Sequence, residues 1–458
     1  MTPKDIVTGT LGGMTPLYVM LQNRVLWFRR SRLTMKLAHG FLWLTLGSVP
    51  SRALTLLTTI LVARVLGAAV YGEFSLVRSS VNAFVTVATF GMGRTAAKYV
   101  AELLATDRVR AGRIVALNYL FTFITSATVA LVFVILAPII CTRMIDSPHL
   151  VAQVRLGAPL LVFTALVGAQ VGVLAGFQAF RETSIALTIS ALASAPFFYF
   201  GSKFFGLTGA VIGFSIGTIV NFCCNSYAIS RLTRRFGVQY SFWNCWREAA
   251  VLWNFCLPST LISLSMSGAT WCATILIMRG QNGATELGLF DATRQIQTAA
   301  LYLPVMASQV ITPALSELNA LKDRTRFIKT ALYNLGVNFL FTLAIALGVI
   351  LFSQKIMLSF GDDFGQGVAV LTVAALTCVT MSLTNVCSSV LTSLGAMWTR
   401  FVTTALWCMT LGYAALHAYL HNAGALGTSY AFIAAYLVML STQVLAIVRL
   451  LHRGQKEV

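Results

Sequence analysis

The sequence predicts an all-α, polytopic membrane protein with twelve transmembrane helices in two six-helix lobes, and three observations support this fold class. First, 57% of the 458 residues are hydrophobic and only 10% are charged, whereas soluble globular proteins carry about 25% charged residues. Second, apolar stretches recur along the whole chain, and each has the ~18 or more residues that a helix needs to cross a bilayer. Third, the chain contains an internal repeat, described below. This composition excludes a soluble enzyme.

Twelve apolar segments account for most of the chain. They are Phe41–Leu66, Phe74–Met92, Ile114–Ala137, Arg155–Phe177, Ser184–Phe204, Thr208–Ile229, Leu252–Met278, Phe290–Ala314, Thr330–Phe352, Val368–Thr392, Phe401–Leu420 and Gly427–Leu450. The connections between them are short, so we expect neither a soluble domain nor a large external catalytic loop.

These segments predict a simple domain organisation. We expect a cytoplasmic, partly interfacial extension, an N-terminal lobe with the first six helices, a cytoplasmic linker, a C-terminal lobe with the last six helices, and a cytoplasmic tail. Their predicted bounds are 1–40, 41–232, 233–251, 252–450 and 451–458.

The basic residues indicate how the chain is oriented, because Lys and Arg concentrate in cytoplasmic loops. With the N-terminus in the cytoplasm, 24 of the 33 Lys and Arg residues lie on the cytoplasmic side, six lie outside and three lie within the membrane. Both termini are therefore expected in the cytoplasm. This distribution also accounts for the formal charge of +19, so no nucleic-acid partner is expected.

An internal repeat relates the two halves of the chain. At a constant offset of 216 residues, Gly67, Ala68, Gly72, Phe74 and Arg78 match Gly283, Ala284, Gly288, Phe290 and Arg294. Each half then holds six segments, and an even number returns the chain to the same side of the membrane. The halves are thus predicted to be parallel repeats related by a pseudo-two-fold axis along the membrane normal, as in alternating-access transporters.

Three arginines within the membrane are the main candidates for function: Arg52, Arg78 and Arg294. An arginine at bilayer depth costs about 2.5 kcal/mol or more and is kept where it faces a cavity or a partner. Arg78 and Arg294 are equivalent in the repeat, so they are expected to face each other across the central axis. Asn82 shares a helical face with Arg78, and Gln297 with Arg294. We predict that these five residues bind an anionic, phosphate-like substrate, because a guanidinium presents a rigid fork of donors to phosphate oxygens.

Two structural interpretations compete with this one. Arg52 and Arg78 lie close enough to helix ends for their side chains to reach the lipid headgroups. Asp291 and Arg294, three residues apart, would also be neighbours on one helix and could neutralise each other as a pair.

Neither a metal nor a cofactor is predicted. The nine cysteines show no ligand spacing, and we expect them to be small core residues. His417 and His421 are four residues apart, a spacing that can bind a metal, but no glutamate accompanies them in an HExxH pattern. Since no Walker loop or glycine-rich nucleotide fingerprint appears in the sequence, we expect no ATP hydrolysis by this chain.

A pattern of glycines and charged residues resembles the polysaccharide-transporter flippases of the multidrug/oligosaccharidyl-lipid/polysaccharide exporter superfamily. It runs from Ala63 to Phe74 as ARVLGAAVYGEF and continues with FGMG from Phe90 and KYVAE from Lys98. The second half agrees through Gly288, Leu289, Phe290, Arg294 and Pro313. The resemblance covers nearly the whole chain.

The resemblance implies export of an undecaprenyl-diphosphate-linked oligosaccharide, flipped from the cytoplasmic to the periplasmic leaflet of the bacterial inner membrane. It also implies a cationic cavity lined by the first, second, seventh and eighth helices, to which Arg52, Arg78 and Arg294 correspond. Thr260 stands where symmetry with Arg52 predicts a cation. Coupling to a proton or sodium ion gradient is implied as well, and Asp291 is the one clear carboxylate at depth. A polysaccharide polymerase and export machinery are the implied protein partners.

Three other functions fit these features less well. A multidrug and toxin extruder, an ion-coupled antiporter of the same fold, exports organic cations and would need intramembrane carboxylates, whereas arginines predominate here. A membrane-embedded polymerase or ligase would need a sizeable periplasmic loop. A structural scaffold would not need buried ionisable residues. We therefore expect a transporter and not an enzyme.

Overall fold

The computed structural model describes residues 32–239, 245–248, 257–321 and 323–453, and in this part of the chain the secondary structure is helical, without a β-strand. The all-α class is thus confirmed. Most of the predicted extension 1–40, part of the predicted linker 233–251 and the end of the predicted tail 451–458 lie outside the described residues.

The α-helices are numbered here in chain order. They are α1 (Arg32–Thr89), α2 (Met92–Thr106), α3 (Arg108–Ile139), α4 (Val151–Gly176), α5 (Phe180–Phe236), α6 (Leu257–Met278), α7 (Gly283–Ala320), α8 (Arg324–Leu351), α9 (Ser353–Phe360), α10 (Val368–Ser393), α11 (Met397–Leu420) and α12 (Gly424–Arg453). Short π- and 3-10-helical turns accompany them at Ile140–Met144, Pro148–Leu150, Cys245–Glu248 and Asp362–Gly367.

Nine helices in the described residues are long and apolar enough to cross a membrane. The protein is therefore a multi-pass membrane protein, as the composition predicts. Two of the nine, α1 with 58 residues and α5 with 57, are far longer than one crossing requires, because a straight helix of that length would span about 87 Å.

Both long helices change direction at a glycine with positive φ. Gly67 in α1 has φ 74°, and Gly206 in α5 has φ 55°, a conformation that residues with a side chain rarely adopt. In α5, a methyl group at Gly209 would overlap the backbone of Gly201, and one at Gly217 would overlap the side chain of Ser194. These pairs lie on opposite sides of Gly206, so the two arms of α5 pack antiparallel as a helical hairpin.

Two helices of the repeat begin in the same way. The side chain of Asp107 accepts a hydrogen bond from the backbone N–H of Arg110 at 2.9 Å, and that of Asp323 accepts one from the N–H of Arg326 at 3.1 Å. Each aspartate satisfies a free N–H group of the first helical turn. Asp107 and Asp323 are 216 residues apart, so the repeat preserves the N-cap of this helix in both halves.

The halves also differ in one helix. A turn at Phe90 and Gly91, both with positive φ, separates α1 from α2. The equivalent stretch of the second half is the continuous helix α7.

The largest apolar core joins helices from both halves of the chain. Its members Tyr71, Phe74 and Phe290 are almost fully buried. Around this core, α1 packs against α5 in its own half and against α7 in the other half. This packing sets the second arm of α1 beside α7 and brings the two arginine-bearing stretches together.

Candidate functional site

A cavity of about 670 Å³ lies between α1 and Phe214 of α5 on one side and α6, α7, α10, α11 and α12 on the other. Its wall contains hydroxyl, amide, charged and aromatic side chains from both halves. The polar and charged ones are Thr55, Thr59, Ser75, Arg78, Ser79, Asn82, Ser263, Ser267, Thr270, Asp291, Thr293, Arg294, Gln295, Gln297, Thr298, Thr377 and Ser429.

One end of the cavity is closed by two equivalent contacts between α1 and α7. A methyl group at Gly72 would overlap the carbonyl oxygen of Ala284, and a methyl group at Gly288 would overlap that of Ala68. Since the 216-residue offset relates Gly72 to Gly288 and Ala68 to Ala284, each contact is the counterpart of the other. Only glycine permits so close an approach of the two backbones. We refer to these contacts as the closed end.

Exposure increases along the cavity wall with distance from the closed end. Ser75 and Asp291 are 3% and 7% exposed, whereas Asn82 and Thr298, about two helical turns further along α1 and α7, are exposed. The cavity is therefore deep near the closed end and accessible from the opposite direction.

Arg78 forms an ion pair with Asp291 of the other half. Its Nη2 atom lies 2.7 Å from both carboxylate oxygens, and both side chains are mostly buried. The hydroxyl of Tyr71 donates to Oδ2 of Asp291 at 2.8 Å. The amide of Gln295 lies beside the same pair. The carboxylate thus joins α1 to α7 inside the cavity.

Arg294 has a different environment. Its Cζ atom lies 5.8 Å from the ring centroid of Phe290 and 5.7 Å from that of Phe432, distances typical of cation–π contacts. In the described part of the chain, Arg294 forms no ion pair with a carboxylate. The pairing of Asp291 with Arg294 that the sequence also allowed is not formed, because Asp291 is turned toward Arg78.

The repeat explains this asymmetry. Arg78 lies 5.7 Å from the ring of Phe74, as Arg294 lies beside the equivalent Phe290, so the aromatic contact is preserved in both halves. The position equivalent to Asp291, however, is Ser75. Arg294 therefore has no counterpart of the carboxylate that neutralises Arg78.

The other predicted site residues lie at different points of the cavity. Asn82 and Gln297 are in its wall, and the amide nitrogen of Gln297 donates to the backbone oxygen of Ala374 in α10 at 3.1 Å. Arg52 is exposed and is not a wall residue of the cavity. Its Cζ atom lies 5.4 Å from the ring of Tyr302 in α7.

Several residues of the cavity were not singled out by the sequence. Trp271 of α6 donates from its indole nitrogen to the hydroxyl of Ser80 in α1 at 3.0 Å, and Phe432 and Tyr436 of α12 complete the wall near Arg294. They come from segments that appear merely apolar in the sequence. Tyr71, which contacts Asp291 but does not line the cavity, had a signal in the sequence, since it is part of the YGEF pattern next to a repeated glycine.

The described residues contain no group of three or more His, Cys, Asp or Glu side chains that could hold a metal. The rings of His417 and His421 lie 4.3 Å apart without a third ligand. The cavity instead combines two guanidinium groups with one carboxylate and therefore has a positive balance of charge. Such a cavity can hold an anion through hydrogen bonds from a guanidinium.

Comparisons with known proteins give one family match and several structural ones. A sequence profile of the family described as polysaccharide biosynthesis protein matches residues 37–319. The chain has no match among curated proteins.

Among solved structures, the chain resembles an inward-facing multidrug resistance MATE family transporter of the MOP superfamily, with a TM-score of 0.73 and 16% identity over 87% of this chain and 95% of that one. It resembles the lipid II flippase MurJ with a TM-score of 0.70 and 16% identity over 87% and 86% of the two chains. It also resembles a MOP superfamily transporter from Pyrococcus furiosus that is described as having a binding pocket of reverse polarity. That match has a TM-score of 0.65 and 17% identity over 91% of this chain and 95% of that one. These likenesses show a shared fold.

Proposed function

Because this chain belongs to the polysaccharide biosynthesis protein family, we propose that it is an alternating-access flippase for an undecaprenyl-diphosphate-linked oligosaccharide. It moves this lipid from the cytoplasmic to the periplasmic leaflet of the bacterial inner membrane. The observation that carries the proposal is Arg294, a cation in the cavity wall without a carboxylate partner in the described chain. A diphosphate meets a large barrier in hydrocarbon, and a guanidinium in a cavity replaces part of its hydration with charge-assisted hydrogen bonds.

The helix lengths support an arrangement of twelve crossings. Nine described helices are long and apolar enough to span a membrane, and α1 and α5 among them each have the length for two crossings. The more polar α7, with 38 residues, supplies one more. The lobes would then comprise residues 41–232 and 252–450. Gly72 of α1 contacts Ala284 of α7, and Gly288 of α7 contacts Ala68 of α1. This reciprocal pair of contacts supports a two-fold axis between the lobes, since a two-fold axis turns each contact into the other.

The basic residues support an orientation with both termini in the cytoplasm. The closed end of the cavity then faces the periplasm, and the accessible end faces the cytoplasm. A cavity in this state is ready to receive a substrate that is to be exported.

Five side chains are proposed to serve the substrate. Arg294 and Arg78 lie at the deep end, where the diphosphate would be held, while the glycan occupies the wet cavity and the polyprenyl chain stays in lipid. Asn82 and Gln297, further along the wall, offer hydrogen bonds to sugar hydroxyl groups. Arg52 lies beyond the wall on the first arm of α1, where it would attract an anion toward the cavity.

The energy source is proposed to be a proton or sodium ion gradient, and a polysaccharide polymerase and export machinery are the proposed partners. Among the described residues, Asp291 is the one carboxylate of the cavity wall. A coupling ion bound there has to compete with Arg78 and Tyr71 for the carboxylate oxygens.

An ion-coupled extruder of multidrug and toxin extrusion type is the alternative function. The aromatic side chains Trp271, Phe432 and Tyr436, together with Asp291, form a wall that could hold an organic cation. The positive balance of charge from two arginines and one carboxylate opposes this, because a cation in the cavity would be repelled.

A flipping assay with the purified protein tests the proposal. The protein is reconstituted in vesicles that contain a fluorescent undecaprenyl-diphosphate-linked oligosaccharide, and an impermeant glycosidase measures how much lipid reaches the outer leaflet with time. We expect movement with the wild-type protein and its loss with Arg294→Ala. Arg155→Ala, which changes an exposed arginine of α4, is the matched control and should behave as wild type.

The two functions give opposite results in these vesicles. Wild-type protein that moves no lipid-linked glycan but transports ethidium would identify an extruder. Normal flipping by Arg294→Ala would show that the cavity arginine is not part of the substrate site.

A further inference from the structure

We propose that the cavity binds its anion at a single arginine, Arg294, and that Asp291 determines this specificity by withdrawing Arg78 from anion binding. The inference rests on the proposed function and changes it at one residue: Arg78, proposed above to serve the substrate, lies beside the anion site without binding the anion. The phosphate moiety of the substrate is bound by one guanidinium and is not clamped between two.

The first step is the saturation of the Arg78 and Asp291 pair. Both carboxylate oxygens face Nη2 of Arg78 at 2.7 Å, and one of them also accepts from Tyr71 at 2.8 Å. An anion that captured Arg78 would leave Asp291 in a mostly buried position without a counter-ion. Removing one partner of a buried pair is strongly unfavourable, so the carboxylate keeps Arg78 from the substrate.

The second step is the availability of Arg294. It lies in the same cavity wall and forms no ion pair in the part of the chain that the structure describes. Phe290 and Phe432 flank its guanidinium at 5.8 and 5.7 Å. Aromatic faces support a cation but do not occupy its N–H donors in the guanidinium plane. Those donors can therefore point at an anion in the cavity.

The third step is the comparison that the repeat itself provides. Arg78 and Arg294 share an aromatic neighbour four residues earlier, Phe74 and Phe290. They differ in the residues available to pair with them. Arg78 pairs with Asp291 of the other half, and Tyr71 of α1 donates to the same carboxylate. The positions equivalent to Asp291 and Tyr71 in the repeat hold Ser75 and Leu287. Leucine cannot donate a hydrogen bond and serine carries no charge.

Counting charges in the cavity gives the expected effect of each variant. Asp291→Ser gives both halves a serine at this position and frees Arg78, so the cavity gains a second available cation. Ser75→Asp gives both halves an aspartate, so it supplies Arg294 with a carboxylate and leaves no available cation. Arg78→Ala combined with Asp291→Ser removes the pair as a unit and keeps Arg294 as the single cation.

Binding of inorganic pyrophosphate to the purified full-length protein, measured by isothermal titration calorimetry, tests the assignment. Arg294→Ala and Ser75→Asp should each weaken binding about tenfold or more, and Asp291→Ser should tighten it by a similar factor, since each gains or loses one charge-assisted contact. The double variant Arg78→Ala with Asp291→Ser should bind within about threefold of wild type, because its available charge is unchanged.

Thermal unfolding of the same variants separates lost binding from lost structure. Arg78→Ala alone should unfold at a lower temperature than the double variant, because it leaves Asp291 unpaired. Two results would overturn the proposal. In the first, the double variant binds pyrophosphate as weakly as Arg294→Ala does. In the second, Asp291→Ser binds pyrophosphate with the same affinity as wild type. The variants could rank as predicted in pyrophosphate affinity while the wild-type protein flips no lipid-linked glycan. That result would support the assignment of the anion to Arg294 and reject the proposed function.

Discussion

A guanidinium inside a membrane is stable where other groups replace its water, and Arg78 and Arg294 meet this requirement in different ways. Arg78 has a carboxylate partner across the boundary between the halves, at 2.7 Å. Arg294 has two aromatic rings and the cavity itself. Two arginines that are equivalent in sequence therefore have unequal partners, and we assign the anion to the one without a carboxylate.

The hydroxyl of Tyr71 should contribute to stability through Asp291. Tyr71→Phe removes a buried hydrogen bond to a charged group, which is worth about 1.5–3 kcal/mol. We expect a lower midpoint of thermal unfolding in detergent. Tyr413→Phe is the matched control, because Tyr413 is 76% exposed and its hydroxyl should not affect stability. Equal midpoints for wild type and Tyr71→Phe would contradict the role assigned to this hydroxyl.

At the residue scale, the sequence identifies which arginines are equivalent, because equivalence follows from position along the chain. The depth of Arg52 in the membrane stays a prediction, since Arg52 is exposed and does not line the cavity. The sequence does not predict the partner of Asp291. The spacing of three residues favours Arg294 as a neighbour on the same helix, but the carboxylate points to Arg78 of α1. Such a pairing depends on the rotation and separation of two helices that are distant in the sequence.

The helices α1 and α7 approach each other closely because glycine replaces side chains at two repeated positions. Gly72 and Gly288 each lie against the backbone of the other helix, in the manner of small residues at membrane helix interfaces. The repeated GAAVYGEF and GATELGLF sequences therefore have a packing function. They close one end of the cavity, and this contact has to open if the cavity is to become accessible from that side.

A side chain at Gly72 should separate α1 from α7. Gly72→Val would overlap the carbonyl oxygen of Ala284, and overpacking of this kind costs about 1–3 kcal/mol. We expect a lower midpoint of thermal unfolding. We also expect the closed end to become more accessible, which is measured as faster reaction of a water-soluble thiol reagent with a cysteine introduced by Ser75→Cys.

The matched control is Gly336→Ala in α8, where no atom lies within 4 Å of the added methyl group. That change should leave stability equal or raised by about 0.5–1 kcal/mol, since alanine favours a helix over glycine. If Gly72→Val were as stable as Gly336→Ala, the close contact would not govern the packing of α1 on α7.

At the element scale, most of the apolar segments predicted from the sequence coincide with helices, because hydropathy alone selects stretches that can cross a bilayer. The predicted connections between these segments agree less well with the structure. The first two segments are arms of one helix, bent at Gly67, and the fifth and sixth are arms of a helix bent at Gly206. Hydropathy cannot distinguish a loop from a glycine bend of a few residues, since neither interrupts the chain for long.

The orientation of the whole molecule can be tested with reporter fusions. A reporter after Ser202, near the bend of α5, should be periplasmic, and one after Arg235, at the end of α5, should be cytoplasmic, because basic residues concentrate on the cytoplasmic side. Alkaline phosphatase and green fluorescent protein, which are active on opposite sides, give the readout. Reversal of both results would mean that the closed end of the cavity faces the cytoplasm.

At the scale of the whole molecule, the sequence alone identified the repeat and the family. The match of residues 37–319 to the polysaccharide biosynthesis family confirms the resemblance seen in ARVLGAAVYGEF. The sequence predicts that the equivalent arginines Arg78 and Arg294 lie near each other, and both line the cavity between the halves. The wall of side chains from α10, α11 and α12 was not predictable, since those helices carry no repeated motif and reach the cavity only through packing.

The difference between Ser75 and Asp291 also bears on how such a protein can be encoded. Two copies of a single half-length chain would carry the same residue at both positions. With serine twice, both arginines would lack a counter-ion, and with aspartate twice, both would be neutralised. A cavity with one arginine of each kind therefore cannot be assembled from two copies of one half-length chain. The two halves need separate coding sequences, so that each can accept mutations that the other does not share.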